Sequence, residues 1–167
     1  MTRRAVLFAL FVVLPGIAIA QQGSASPIDG VWRITEITTS GANVSTNKSP
    51  QPSLLIFSRG HYSWIHVAGT TPRKERAAAA TPGKLTDAEK IAAHDEWQPL
   101  TANAGTFEVK GTTLTRRLMV AKNVAPMAPT ANPVVQEFKF DGSTLTLTGP
   151  SGGDPKTQIR YTLTRVR

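Results

Sequence analysis

Glu36 and Arg116 are the two residues of this chain whose types and settings first invite a chemical reading. Trp32, Ile34 and Glu36 alternate along an expected strand, so the period of two puts Glu36 on the side of Trp32. Arg116 falls with Leu114 and Leu118 by the same rule. If that side is the interior, both charges point inward, and an inward charge must be paired or wet. Two readings follow: a site for a ligand carboxylate or hydroxyl, or an ion pair bridged by water. Gln136 and Tyr161 are the expected polar neighbours. A general-base role for Glu36, assisted by His66 or Tyr62, would require these groups to meet.

Tyr62, Trp64 and His66 alternate within His61–Val67 and together offer apolar walls with a few polar tips, the usual make-up of a small-molecule site. The opposite face carries Leu54, Ile56, Ile65 and Val67 and is apolar too, which implies cover on both sides: a helix outside and a cavity inside. The aromatic face is the favoured interior one; ordinary core or helix contact is the alternative. His61 borders a turn and is expected to be exposed. His94-Asp95-Glu96 resembles a metal or acid/base group, but consecutive helical residues diverge and do not grip one ion. No metal site is read from the sequence. With no cysteine, thiol chemistry and disulfides are excluded. No Gly-x-Ser-x-Gly, His-Glu-x-x-His or phosphate-binding glycine loop occurs, and no cofactor is implied.

The elements that must position these residues are short strands joined by tight turns. Three hairpins are expected: Ser53–Ser58 to His61–Val67 through Arg59-Gly60, Gly105–Val109 to Thr112–Val120 through Lys110-Gly111, and Val134–Phe140 to Ser143–Gly149 through Asp141-Gly142. Two-residue turns of this type favour residues that accept positive φ. Such a turn sets register, and register sets faces. In the third hairpin Phe140 would pair with Ser143, Phe138 with Leu145 and Gln136 with Leu147, leaving Glu137, Lys139, Thr144, Thr146 and Thr148 on a polar face. In the second, Phe107, Val109 and Leu114 fall together, with Glu108 facing Thr113 and Thr115. Val31–Thr39 and Thr157–Val166 add a first and a last strand. The expectation is an all-β fold: an eight-stranded antiparallel up-and-down barrel, the size that just encloses side chains or one small ligand. Thr86-Asp-Ala-Glu89 is a capping box that opens one helix running toward Pro99, inserted between the third and fourth strands. Gly69–Gly83 and Lys122–Pro133 are expected to be irregular.

The N-terminus reads as a secretory signal. Arg3 and Arg4 precede an apolar run from Ala5 to Leu14, Pro15-Gly16 breaks it, and Ala18-Ile19-Ala20 predicts cleavage before Gln21. The run is too short for a spanning helix of roughly 20 residues. The expected organisation is a cleaved signal peptide, 1–20, and one domain, 21–167, in the periplasm or secreted, as a monomer or small homo-oligomer. The formal charge of +8 falls by two on cleavage. The remaining basic residues are scattered, and the clusters Arg73-Lys74-Arg76 and Arg160–Arg167 lack the interleaved aromatics of a nucleic-acid platform. No nucleic-acid partner and no membrane span are expected.

Gly30-Val31-Trp32-Arg33 is similar to the N-terminal motif of lipocalins. Leu54–Phe57, Gly60-His-Tyr-Ser63, the helical insert, Ala104–Val109 and Val135–Leu147 together resemble the bacterial lipocalin-like domain family, with its calycin-type β-barrel, over roughly residues 28 to 166. Gln136 stands where that family commonly has Arg. The resemblance implies that Trp32 plugs the barrel floor, with Arg165 or Arg167 packed across it. It also implies, by analogy of fold, a small apolar or amphipathic ligand inside. The expected cavity residues are Ile34, Glu36, Tyr62, Trp64, His66 and Phe107, with Arg116, Leu118, Phe138, Leu147 and Tyr161. An enzyme that isomerises, cyclises or hydrolyses a hydrophobic molecule in that cavity, and an envelope interaction module with a filled barrel, are the alternatives; the catalytic residues of such an enzyme are not identified by the sequence.

Overall fold

The computed structural model describes residues 25–41, 44–78, 81, 83–151 and 154–167. The expected signal peptide lies outside the described residues. Among the described residues nine strands follow one another: β1 Gly30–Ser40, β2 Ser45–Asn47, β3 Ser53–Ser58, β4 His61–Val67, β5 Leu100–Lys110, β6 Thr113–Ala121, β7 Val134–Phe140, β8 Thr144–Ser151 and β9 Asp154–Arg165. All ladders are antiparallel. Strands β3 to β9 run up and down in chain order, and β1 pairs with both β3 and β9, so eight strands close into a barrel. The short β2 pairs only with the far end of β1, at Ile37–Thr39. Closure leaves few free edges on the barrel, which suits a chain without disulfides.

One helix, α1 Asp87–Trp97, is capped as its sequence predicts: Thr86 Oγ1 accepts from the Glu89 backbone N–H, and the Glu89 carboxylate accepts from the Thr86 N–H. It lies between the fourth and fifth strands rather than the third and fourth, because the unforeseen β2 adds one to the count. The helix does not cover the barrel. None of its own residues is buried, and Leu54, Ile56 and Ile65 on the outer face of β3 and β4 stay 44%, 38% and 44% exposed. Cover on both sides of this strand pair is therefore corrected to cover on one. What anchors α1 is the preceding loop, through Arg73 and Arg76 converging on Glu96 at 3.6 and 3.7 Å.

The hairpins form, with one register as expected and two displaced. Arg59 and Gly60 both take positive φ, and Phe57 pairs with Tyr62. In the second hairpin Val109 pairs with Leu114 and Phe107 with Arg116; in the third Phe140 pairs with Leu145 and Phe138 with Leu147. Both are shifted by two residues from the expected pairing. In the second, the turn sits at Gly111-Thr112. In the third, Asp141 Oδ1 accepts from the Thr144 N–H and widens the loop. A shift of two preserves every face, because side chains alternate with that period. The inner face therefore still carries Phe107, Leu114, Phe138, Leu145 and Leu147, joined by Trp32, Ile34, Leu55, Phe57 and Leu163 in one core.

Candidate functional site

One end of the barrel is shut by packing. Trp32 is fully buried and donates from Nε1 to the Ile28 carbonyl at 2.9 Å. Arg165 lies with its guanidinium 4.4 Å from the centre of that ring and donates to the Asp29 carbonyl at 2.8 Å. Phe140 meets the Trp32 ring edge-on at 6.0 Å. Gly30 belongs to this floor for a steric reason: its φ is +147°, and a Cβ there would sit 2.3 Å from the Arg165 Nη1. The Gly-x-Trp pair thus fits the guanidinium as well as the ring.

A second cluster of inward side chains is polar. Tyr62, Trp64 and His66 stand on the inner face of β4, and all three are buried. Their strand partners orient them: Tyr62 opposes Gly105, Trp64 opposes Asn103, and His66 opposes Thr101. The Trp64 Nε1–H donates to His66 Nδ1 at 2.9 Å, so the imidazole accepts there and carries its proton on Nε2 when neutral. Tyr161 from β9 meets Trp64 edge-on at 5.2 Å and His66 at 6.1 Å. Burial pulls the His66 pKa below its ordinary value and pushes the Tyr161 and Tyr62 hydroxyls up; for the two tyrosines the Arg116 charge works against burial.

Arg116 is the centre of this cluster and is 94% buried by its 6% exposure. Its guanidinium lies 4.3 Å from the Trp64 ring centre and 5.1 Å from that of Tyr62, and its Nη2 donates to Gln136 Oε1 at 2.9 Å. Among the described residues no carboxylate pairs with it. Burial lowers its pKa, while Tyr62 and Tyr161 act in the opposite direction, Tyr62 also through a side-chain hydrogen bond. Three buried polar atoms in this region lack a short hydrogen bond, Arg116 Nε, Tyr62 Oη and Asn103 Oδ1, and the nearest that Tyr62 and Arg116 come to satisfying each other is a long side-chain contact between them. A buried polar atom left unsatisfied typically costs about 1–3 kcal/mol, more when charged, so three on one wall call for an explanation.

Glu36 is absent from this cluster. β1 bulges between Ile34 and Glu36: Ile34 pairs with Leu163, the register skips Thr35, and Glu36 pairs with Thr162. Ile34 and Leu163 are inside, so Glu36 and Thr162 are outside, where Glu36 accepts from the Thr38 hydroxyl at 3.2 Å. The expected inward Glu36 is corrected, and with it the expected pairing with Arg116. A bulge inserts one unpaired residue and reverses the alternation beyond it. A second bulge, in the β5–β6 ladder, pairs Gly105 with Leu118 and Ala104 with Val120.

Leu118 is half-buried and, with Thr101 and Asn103, lines a cleft of about 240 Å³ at the end of the barrel away from Trp32. Lys122 stands on its rim and donates from Nζ to the Gln98 carbonyl at 2.9 Å. Ile34, Phe107, Phe138 and Leu147 belong to the packed core. Asn103 escaped the sequence reading because the strand was begun at Gly105; the period of two from Phe107 back through Gly105 would have reached it. His61 is exposed at its turn and His94 lies on the exposed helix. A larger cleft, about 740 Å³, lies outside the barrel between residues 68–78 and α1.

No protein-family model matches the chain, and no curated protein matches it. Among solved structures, that of an uncharacterized protein from Bacteroides eggerthii is similar over 83% of this chain and 98% of its own, at 10% identity and a TM-score of 0.43. A likeness of that degree carries no information about function.

Proposed function

We propose that this chain is an exported binding protein of lipocalin-like type that takes a small apolar or amphipathic molecule at the polar end of its barrel. The observation that carries the reading is the set of three buried atoms without a short hydrogen bond, Arg116 Nε, Tyr62 Oη and Asn103 Oδ1, on inward-facing residues beside the cleft that Asn103 and Leu118 line. Walls of Trp64 and Tyr161 supply the apolar surface such a ligand needs. Export is supported by the charged, apolar and small-residue zones of residues 1–20, and the lipocalin-like assignment by the up-and-down order and by the Trp32–Arg165 floor.

A filled barrel that serves as an envelope interaction module is the second reading, favoured by the tight core from Trp32 through Leu147. Native mass spectrometry of the protein taken from its own compartment, before and after denaturing extraction, separates the two. A stoichiometric small molecule lost on denaturation is the expected result; an unliganded mass together with no binding of amphipathic probes would favour the filled barrel.

A further inference from the structure

The charge at this site has a sign and no counter-charge, and that narrows the ligand. Resting on the binding reading above, we infer that the ligand is a short-bodied organic monocarboxylate whose head meets the Arg116 guanidinium. Arg116 is buried and its Nε still lacks a short hydrogen bond, although Gln136 holds its Nη2. Neutral Gln136 leaves the positive charge uncompensated, and burying such a charge is costly unless a partner of opposite sign arrives. A guanidinium matches a carboxylate in shape, since its planar N–H fork can meet both oxygens. The Tyr62 hydroxyl lies against Arg116 and keeps its own proton as a further donor for the same head.

The rest of the site selects within anions. A dianion would need more cationic partners than Arg116 alone, and the rings of Trp64 and Tyr62 that flank it offer no hydration for a second charge. Leu118, Leu100 and Pro126 in the cleft suit an apolar body instead. Arg116 is two residues from Leu118 on the same inner face of β6, roughly 6.8 Å along the strand, so a molecule in the cleft is within one short step of the charge. The cleft's 240 Å³ lies under the ~300–1,000 Å³ common for drug-sized ligands, which calls for a short body.

The test compares hexanoate, its neutral isostere hexanamide, and acetate at neutral pH. Binding is read from the Trp64 indole N–H resonance, assigned with a Trp64→Phe variant. Hexanoate is expected to bind at least about ten-fold more tightly than hexanamide, because hydrogen bonds to a charged group are stronger than neutral ones. Acetate, lacking the body, is expected to bind more weakly than hexanoate. Arg116→Met should erase the preference for hexanoate, and Arg116→Lys should keep part of it. The wild-type comparison decides even if a variant fails to fold. Equal binding of hexanoate and hexanamide overturns the carboxylate inference and leaves interior binding standing. Equal binding of acetate and hexanoate overturns the apolar body. No shift with any of the three overturns this inference; if the purified protein also carries no molecule, the binding reading falls with it.

Discussion

The guanidinium of Arg116 lies 4.3 Å from the centre of the Trp64 ring, and the edge of the same indole donates to His66 Nδ1 at 2.9 Å. One tryptophan thus links a buried cation to a buried titratable base. Because the hydrogen bond needs the Nδ1 lone pair, it exists only while His66 is neutral at that nitrogen.

Stability should depend on pH through His66. The unfolded imidazole takes up its proton near pH 6.5, whereas the buried ring does so only at lower pH, because burial disfavours its charge. The contribution of neutral His66 is fully present above about pH 6.5 and is lost progressively as pH falls toward the depressed folded value. His66→Phe should flatten this acid-side loss. Urea unfolding of both proteins at about pH 7.5 and about pH 5.5 measures it; an undiminished acid loss in the variant would place the cause elsewhere.

Arg165→Ala should destabilise the fold by about 2 kcal/mol. It removes the guanidinium from the faces of Trp32 and Phe140 and deletes a charge-assisted hydrogen bond to the Asp29 carbonyl. Denaturant midpoints give the value, and a change under about 0.5 kcal/mol would mean that the core alone holds the floor.

Gly30→Ala should also cost about 2 kcal/mol, from its positive φ and from the clash with Arg165 Nη1. The clash vanishes when Arg165 is already Ala. The double variant should therefore lose about 1 kcal/mol less than the two single losses added together. Strict additivity in a double-mutant cycle would assign the whole cost to the backbone.

Glu36→Gln should change stability by no more than about 0.5 kcal/mol and leave hexanoate binding unaltered, since the carboxylate faces outward beyond the bulge. A ten-fold loss of hexanoate affinity in this variant would show that Glu36 reaches the interior in solution.

The faces of the hairpins were readable from sequence because a tight turn and the period of two constrain them jointly. Even the two-residue slips at Gly111 and Asp141 left Phe107, Arg116 and Phe138 on the inner side. The Thr86 cap was readable because a capping box involves only residues three apart. β2 was not: three polar residues pair with β1 only because β1 runs past its pairing with β3 and leaves an open edge there, and nothing local in Ser45-Thr46-Asn47 marks that. The lack of cover over Leu54, Ile56 and Ile65 was equally hidden, since amphipathicity does not say where a helix will dock.

Local chemistry, carried by the chain itself, therefore determined the all-β character, the inward side of most strands and the presence of Arg116, Tyr62, Trp64 and His66 on it. The partnership of these groups was decided in three dimensions. One unpaired residue, Thr35, turns Glu36 outward and leaves Arg116 with neutral Gln136 and two aromatic rings. The physical reason is that alternation is a property of one strand, whereas a bulge is a property of two strands seeking a common ladder. The counter-charge of a buried arginine depends on which strands close the barrel.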